Sequence, residues 1–158
     1  MAVILGIDPG SKITGYGLIK IEKNQPCYLA SGSIKPTASC FGKKLFNIFS
    51  DIKTVINMYQ PTAFAIEQVF VDKNPNSAIK LGQARGAAIV AASSADLALQ
   101  EYTPTQVKKI VTGKGNASKQ AIQQMITKQL KLNQTPPEDA ADALAIALCC
   151  YFYNKGLV

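Results

Sequence analysis

The sequence predicts an α/β fold, a mixed sheet with helices on both faces. Three observations predict it. The first 35 residues hold three strand-like apolar runs broken by turn residues. From Phe41 the apolar residues recur at three- and four-residue steps, the period of a helix. The two patterns then interleave in the order βββαβαβ, followed by helices alone, and that order covers a sheet from both sides. At 158 residues and 47% apolar content the chain has the length of one domain, 1–158, with material for a real core. No repeat, low-complexity tract or linker divides it.

The elements follow in order. "AVILGID" is a continuous apolar run that ends at Asp8-Pro9-Gly10, so it reads as a buried strand and a turn. "TGYGLIKIE" and "CYLASGSIK" are two further strands, giving an antiparallel meander. Phe41, Leu45, Ile48, Phe49, Ile52, Val55, Ile56 and Tyr59 line one face of a helix, with Ser39 near its start and Pro61 beyond its end. "TAFAIEQVF" is the fourth strand, residues 76–95 form a second helix, and "LALQEY" is the fifth strand. Then come "TPTQVKKIV", a glycine-bearing loop "TGKGNASK", the helix "QAIQQMITKQLK" and an Ala-rich helix opened by "PPEDAADALAIALCC".

Composition narrows the chemistry. There is no histidine, which excludes His-based triads, His general bases and His-rich zinc sites. Any catalytic metal is then held largely by oxygen, which points to Mg²⁺ or Mn²⁺. The four cysteines, Cys27, Cys40, Cys149 and Cys150, form no CxxC and read as thiols of a reducing cytoplasm. The net charge of +7, from sixteen lysines and one arginine against ten acids, favours a partner rich in negative charge. The N-terminal apolar run is too short for a secretory signal, and no apolar stretch is long enough to span a membrane. A cytoplasmic protein is expected.

Few acids make each one informative. Asp139 and Asp142, three apart on a helix, project from one face. Asp139 lies in the first turn, where the helix dipole alone favours a negative charge. Asp142 is deeper, among Ala140, Ala141, Ala143, Leu144, Ala145 and Ile146, where an unpaired carboxylate costs several kcal/mol. No Lys or Arg within a turn pairs with it, so it is paired from elsewhere, neutral, or on a metal. Asp8 ends one buried strand and Glu67 another, although Asp-Pro-Gly also suits a plain turn. If these elements converge, the four carboxylates repel by ~4 kcal/mol per pair at an effective dielectric near 20. Only divalent cations make such a cluster sensible at neutral pH. A pair of hard cations about 4 Å apart is the apparatus for in-line displacement at a phosphodiester. The basic surface and the carboxylates therefore suggest one substrate, a nucleic-acid backbone.

"GIDPGSKITGYG", "IEQVFVDKNPNSAIKLGQARG", "TPTQVKKIVTGKGNASKQAI" and "PPEDAADALAIA" resemble, in order and over nearly the whole chain, the bacterial Holliday junction resolvases of the RuvC family. The resemblance implies a ribonuclease H-like fold with a five-stranded mixed sheet. It implies Mg²⁺-dependent, symmetric nicking of four-way DNA junctions by a homodimer, and a branch-migration partner, RuvA–RuvB. By position, Asp8, Glu67, Asp139 and Asp142 correspond to the family's catalytic, metal-binding tetrad. Some members carry His where Asp139 stands.

The same resemblance bears on the DNA-facing residues. Six lysines lie between Glu101 and Lys131 against one acid. Lys108 and Lys119 fall on positions that resemble DNA-contacting lysines, and Lys114 sits in the loop between them. That loop, "GKGNASK", lacks P-loop spacing. The helix start near Ser118 offers free N–H groups to phosphate. Phe70 leads into the polar loop up to Ser77; it reads as a strand-end core residue or as an aromatic that stacks on bases, and the resemblance favours stacking. Lys80 and Arg85 on the second helix are further phosphate candidates that the sequence does not decide. Ala78, Gly82, Gly86 and Val90 recur at four-residue steps on that helix. Two readings stand for this stripe: tight packing on the chain's own sheet, or a two-fold helix–helix contact of a dimer.

Three rival readings stand beside this one. The start also looks like the first phosphate loop of actin-type ATPases and sugar kinases, which need two such domains and leave Asp142 unexplained. A non-enzymatic nucleic-acid-binding module accounts for the charge but not for Asp142. Another ribonuclease H-like nuclease, acting on RNA or flaps, is argued against mainly by the resemblance.

Overall fold

The computed structural model describes residues 2–70 and 74–156. Its elements are β1 (Val3–Asp8), β2 (Thr14–Glu22), β3 (Gln25–Ile34), α1 (Phe41–Tyr59), β4 (Ala63–Glu67), α2 (Pro75–Ser93), β5 (Leu99–Tyr102), α3 (Pro104–Thr112), α4 (Lys119–Gln129) and α5 (Glu138–Asn154). The sheet has five strands in the order β3-β2-β1-β4-β5. β1, β2 and β3 pair antiparallel, as the meander predicts, and β1, β4 and β5 pair parallel.

Each strand sorts its side chains by alternation. Leu5, Ile7, Leu18, Phe64 and Ile66 face α1 and α2, against Ile48, Ile52, Ile56, Ala84, Ala88 and Ala91. Ile4, Ile19 and Ala65 face α3, α4 and α5, against Val107, Ile126, Leu144 and Leu148. Full burial of one such aliphatic side chain stabilises the fold by roughly 1.5–3 kcal/mol.

Two strands are shorter than the sequence suggests. β4 stops at Glu67 rather than running to Phe70, because both neighbours end beside it: Glu67 pairs with Tyr102, the last residue of β5, and β1 ends at Asp8 before a proline. β5 begins at Leu99 because the Leu97 amide is already bonded to the Ala92 carbonyl. "TPTQVKKIV" is a helix, opened by a capping box in which the Thr103 side chain accepts from the Gln106 amide and the Gln106 side chain accepts from the Thr103 amide.

The Ala-rich helix α5 is the central piece of its layer, buried from Ala140 to Tyr151 except at Asp142. It comes unusually near the sheet because glycines lie beneath it. The β1–β2 register sets Gly6 opposite Gly17 and Asp8 opposite Gly15. A Cβ on Gly6 would stand 2.6 Å from the Ala147 nitrogen, and one on Gly17 2.6 Å from the Leu144 nitrogen. A Cβ on Gly15 would collide with the Asp139 carbonyl. Among the described residues, no helix is long and apolar enough to cross a membrane.

Candidate active site

The C-terminal edge of the parallel strands sets two acids side by side. Ile7 pairs with Ile66, so the next residues along, Asp8 and Glu67, end β1 and β4 together. The turn after Asp8 is held by buried Thr14, whose hydroxyl donates to the Gly10 carbonyl at 2.9 Å. α5, lowered onto the glycines, brings Asp142 to the same edge. The result is a cleft of about 220 Å³ lined by Asp8, Glu67 and Asp142, by Lys108 and Lys119, and by Pro104, Val107 and Ile122. Asp139 does not line the cleft. It sits half-buried with its backbone over Gly15, near enough for its charge to be felt at Asp8 and Asp142.

The electrostatics follow from that convergence. Burial first, then the charges of Glu67, Asp142 and Asp139, push the Asp8 carboxyl up to about 8. Burial and then Asp142 push Glu67 up to about 7, against the opposing pull of Lys108 and Lys119. Burial raises Asp142 to about 6; Lys119 and Lys108 oppose the shift, and Glu138 and Asp139 add to it. Three carboxyls near one edge are thus held above their ordinary range by burial and by one another, with two lysines offsetting only part of the repulsion.

Among the described residues, no group of three or more His, Cys, Asp or Glu side chains is clustered tightly enough to hold a metal ion. The carboxylates share an open cleft rather than a closed cage. The donor set nonetheless fits a hard divalent cation: its acids are carboxylates alone, and their mutual repulsion is what such a charge relieves.

The remaining candidates fall into groups. Lys119 opens α4 behind the N-cap Ser118, whose hydroxyl accepts from the Ala121 amide at 3.2 Å. Its ammonium pairs with Glu138, which raises the lysine further. Lys108 lies on α3, one residue past Val107, and is half-buried in the cleft wall. Lys114 and Lys80 are exposed. Phe70 is 62% exposed, so it is not a core residue. Residues 71–73 of its loop lie outside the described residues. Gly82 and Gly86 have open space where a Cβ would be, so packing on the chain's own sheet does not explain the stripe. Arg85, a phosphate candidate by sequence, is engaged elsewhere: its Nε donates to the Glu67 carbonyl at 3.0 Å and its guanidinium pairs with Glu101.

Sequence reasoning missed three contributors. Glu138, by sequence only a first-turn acid of the Ala-rich helix, is the partner of Lys119. The T-P-x-Q signature of the α3 cap was present in the sequence and fixes where Val107 and Lys108 enter the cleft. The glycines beneath α5 carried no local signal, since only the register brings Gly6, Gly15 and Gly17 under one helix.

Comparison with known proteins agrees with this architecture. The family model described as crossover junction endodeoxyribonuclease RuvC matches residues 4–150. The crossover junction endodeoxyribonuclease RuvC of Shewanella oneidensis is 53% identical over 158 residues, covering 100% of this chain and 91% of that protein. Its namesake in Pseudoalteromonas atlantica is 54% identical with the same coverage. Among solved structures, Thermus thermophilus RuvC in complex with Holliday junction substrate superposes with a TM-score of 0.90 at 32% identity, covering 99% of this chain and 96% of that one. The yeast mitochondrial Holliday junction resolvase shares the fold at a TM-score of 0.73 and 14% identity, covering 98% of this chain and 79% of its own.

Proposed function

The chain belongs to the RuvC family of crossover junction endodeoxyribonucleases, and from that premise we propose how its cleft does the work. The protein resolves four-way DNA junctions by paired, symmetric nicks, as a step of recombination and repair. Asp8, Glu67 and Asp142, with Asp139 at the margin of the set, would hold divalent metal, Mg²⁺ with Mn²⁺ as a substitute, two ions to a site. Bound there, the metal supplies a nucleophile at neutral pH and stabilises charge on the leaving 3′ oxygen. Asp8 and Glu67, whose carboxyls burial and neighbouring charge hold above their ordinary range, would give up their protons on binding it. Lys119 and Lys108 offer positive charge to the phosphate from the opposite wall. Phe70 stacks on an unpaired base, and exposed Lys114 and Lys80 attract the backbone.

A two-fold junction calls for a two-fold enzyme. The open stripe of Gly82 and Gly86 on α2 is the helix contact of a homodimer that presents two clefts to opposing strands. A cytoplasmic location fits four cysteines that are all free thiols. A branch-migrating RuvA–RuvB complex is the partner that the family implies.

The observation that carries this reading is Asp142, a carboxylate set in an otherwise buried apolar helix and turned into one cleft with Asp8 and Glu67. The test is a synthetic four-way junction with Mg²⁺, scored beside a linear duplex of the same sequence. The wild-type chain should nick the junction and spare the duplex. Asp142→Asn should lose nicking by orders of magnitude and still bind the junction. Full activity in that variant, or equal cutting of duplex, RNA hybrid or flap, overturns the assignment.

A further inference from the structure

Arg85 is the chain's one arginine; every other basic side chain is a lysine. We propose that it is a positioning residue that pins the peptide following Glu67 and thereby holds the Glu67 carboxylate in the cleft. This rests on the reading of Glu67 as a metal-binding residue.

Glu67 is the last residue of β4, and the chain leaves the sheet directly after it. The peptide group between Glu67 and Gln68 is nevertheless held at both ends. Its N–H, that of Gln68, donates to the Tyr102 carbonyl at 2.9 Å. Its C=O, that of Glu67, accepts from Arg85 Nε at 3.0 Å. The guanidinium is anchored in turn by Glu101, which lies beside Ile66 in the β4–β5 register. One planar fork thus ties the end of β4 to β5 by way of α2. Without it, a backbone carbonyl at the sheet's edge loses its partner, and the strand end carrying Glu67 gains freedom to move.

Geometry also explains the choice of residue. The contacts use two different nitrogens of a rigid plane, which a lysine's single ammonium cannot reproduce together. The Arg85 side chain is only 19% exposed, with both named contacts directed at protein oxygens rather than outward to a phosphate. A group that displaces a catalytic carboxylate by ~1 Å can change the rate by about 10²-fold without touching substrate.

Arg85→Lys separates this role from a phosphate contact, since it keeps the charge and removes the fork. The full-length variant should bind a four-way junction within about twofold of wild type in chelator, where phosphate affinity depends chiefly on charge. Its single-turnover nicking rate at saturating enzyme should fall about tenfold or more, with a higher half-saturating Mg²⁺ concentration. In metal-free protein, amide hydrogen exchange at Gln68 should rise by about tenfold. Glu101→Gln, which loosens the same fork from its other end, should shift exchange and Mg²⁺ demand in the same direction. Wild-type exchange and nicking in Arg85→Lys overturn the proposal; so does Arg85→Ala with weakened binding that Lys restores together with the rate. Should Arg85→Ala fail to fold, the Lys and Gln variants still decide. Glu67→Gln run alongside keeps the two readings apart: if it nicks normally, the underlying assignment falls, whereas an inactive Glu67→Gln beside a wild-type Arg85→Lys refutes the positioning role alone.

Discussion

Asp8→Asn should stabilise the metal-free protein in alkaline solution while abolishing its nicking. Burial and the charges of Glu67, Asp142 and Asp139 push the Asp8 carboxyl from 3.8 to about 8. Between those values the folded chain keeps a proton that the unfolded chain has released. Stability contributed by this group is therefore full below about pH 4 and is lost as pH rises towards 8. A shift of about four units corresponds to an upper limit of about 5–6 kcal/mol at 1.36 kcal/mol per unit. Glu67 and Asp142 titrate with Asp8 and share the same repulsion, so about half of that, 2–3 kcal/mol, belongs to removing one charge. For a chain of this length the gain amounts to roughly 5–10 °C in Tm. Thermal melts in chelator at pH 4, 6, 8 and 9 measure it: Asp8→Asn should match wild type at pH 4 and exceed it increasingly up to pH 8, then level off. Adding Mg²⁺ at pH 8 should raise the wild-type Tm and move the variant much less. A variant equal to or weaker than wild type at pH 9 in chelator, or a gain just as large at pH 4, would refute the electrostatic account.

Two further outcomes test the dimer and the basic wall. Gly82→Leu meets no atom within 4 Å of its Cβ, and replacing a helix-interior glycine recovers up to ~1 kcal/mol of helix propensity. The monomer should therefore fold at least as well as before while sedimentation velocity shows dissociation and paired nicking of a junction is lost; a variant that sediments as a dimer and resolves junctions normally removes α2 from the interface. Lys119→Ala should lower the single-turnover rate at saturating enzyme more than it weakens junction binding, because the Lys119 charge reaches Asp8, Glu67 and Asp142; weaker binding with an unchanged rate would confine Lys119 to the DNA backbone.

Much of the architecture could be read because local and global signals agree. The period of α1 and the apolar runs of β1 and β4 each describe a face that is in fact buried. Asp142 could be read because a carboxylate inside an Ala/Leu/Ile run has no inexpensive local explanation. Arg85 could not be assigned, since a guanidinium in a helix looks the same whether it faces phosphate or a strand-end carbonyl eighteen residues earlier. The end of β4 is not legible for a similar reason: Val69 and Phe70 are good strand residues, and the strand stops only because its neighbours stop. Asp139 does not line the cleft: its backbone is pressed against Gly15, and only its charge reaches Asp8 and Asp142.

The bare stretch of β1 and β2 under α5 has a mechanical consequence. Asp139 and Asp142 belong to the helix, Asp8 and Glu67 to the sheet, so the gap between the two halves of the cleft equals the distance between those bodies. That distance is set by missing side chains, much as a shim of zero thickness sets the gap between two jaws. One methyl at Gly17, deep in the interior and chemically inert, would lift both helix acids at once. A substitution in the interior, far from any charged group, thus changes the spacing between the helix acids and the sheet acids without altering one of them.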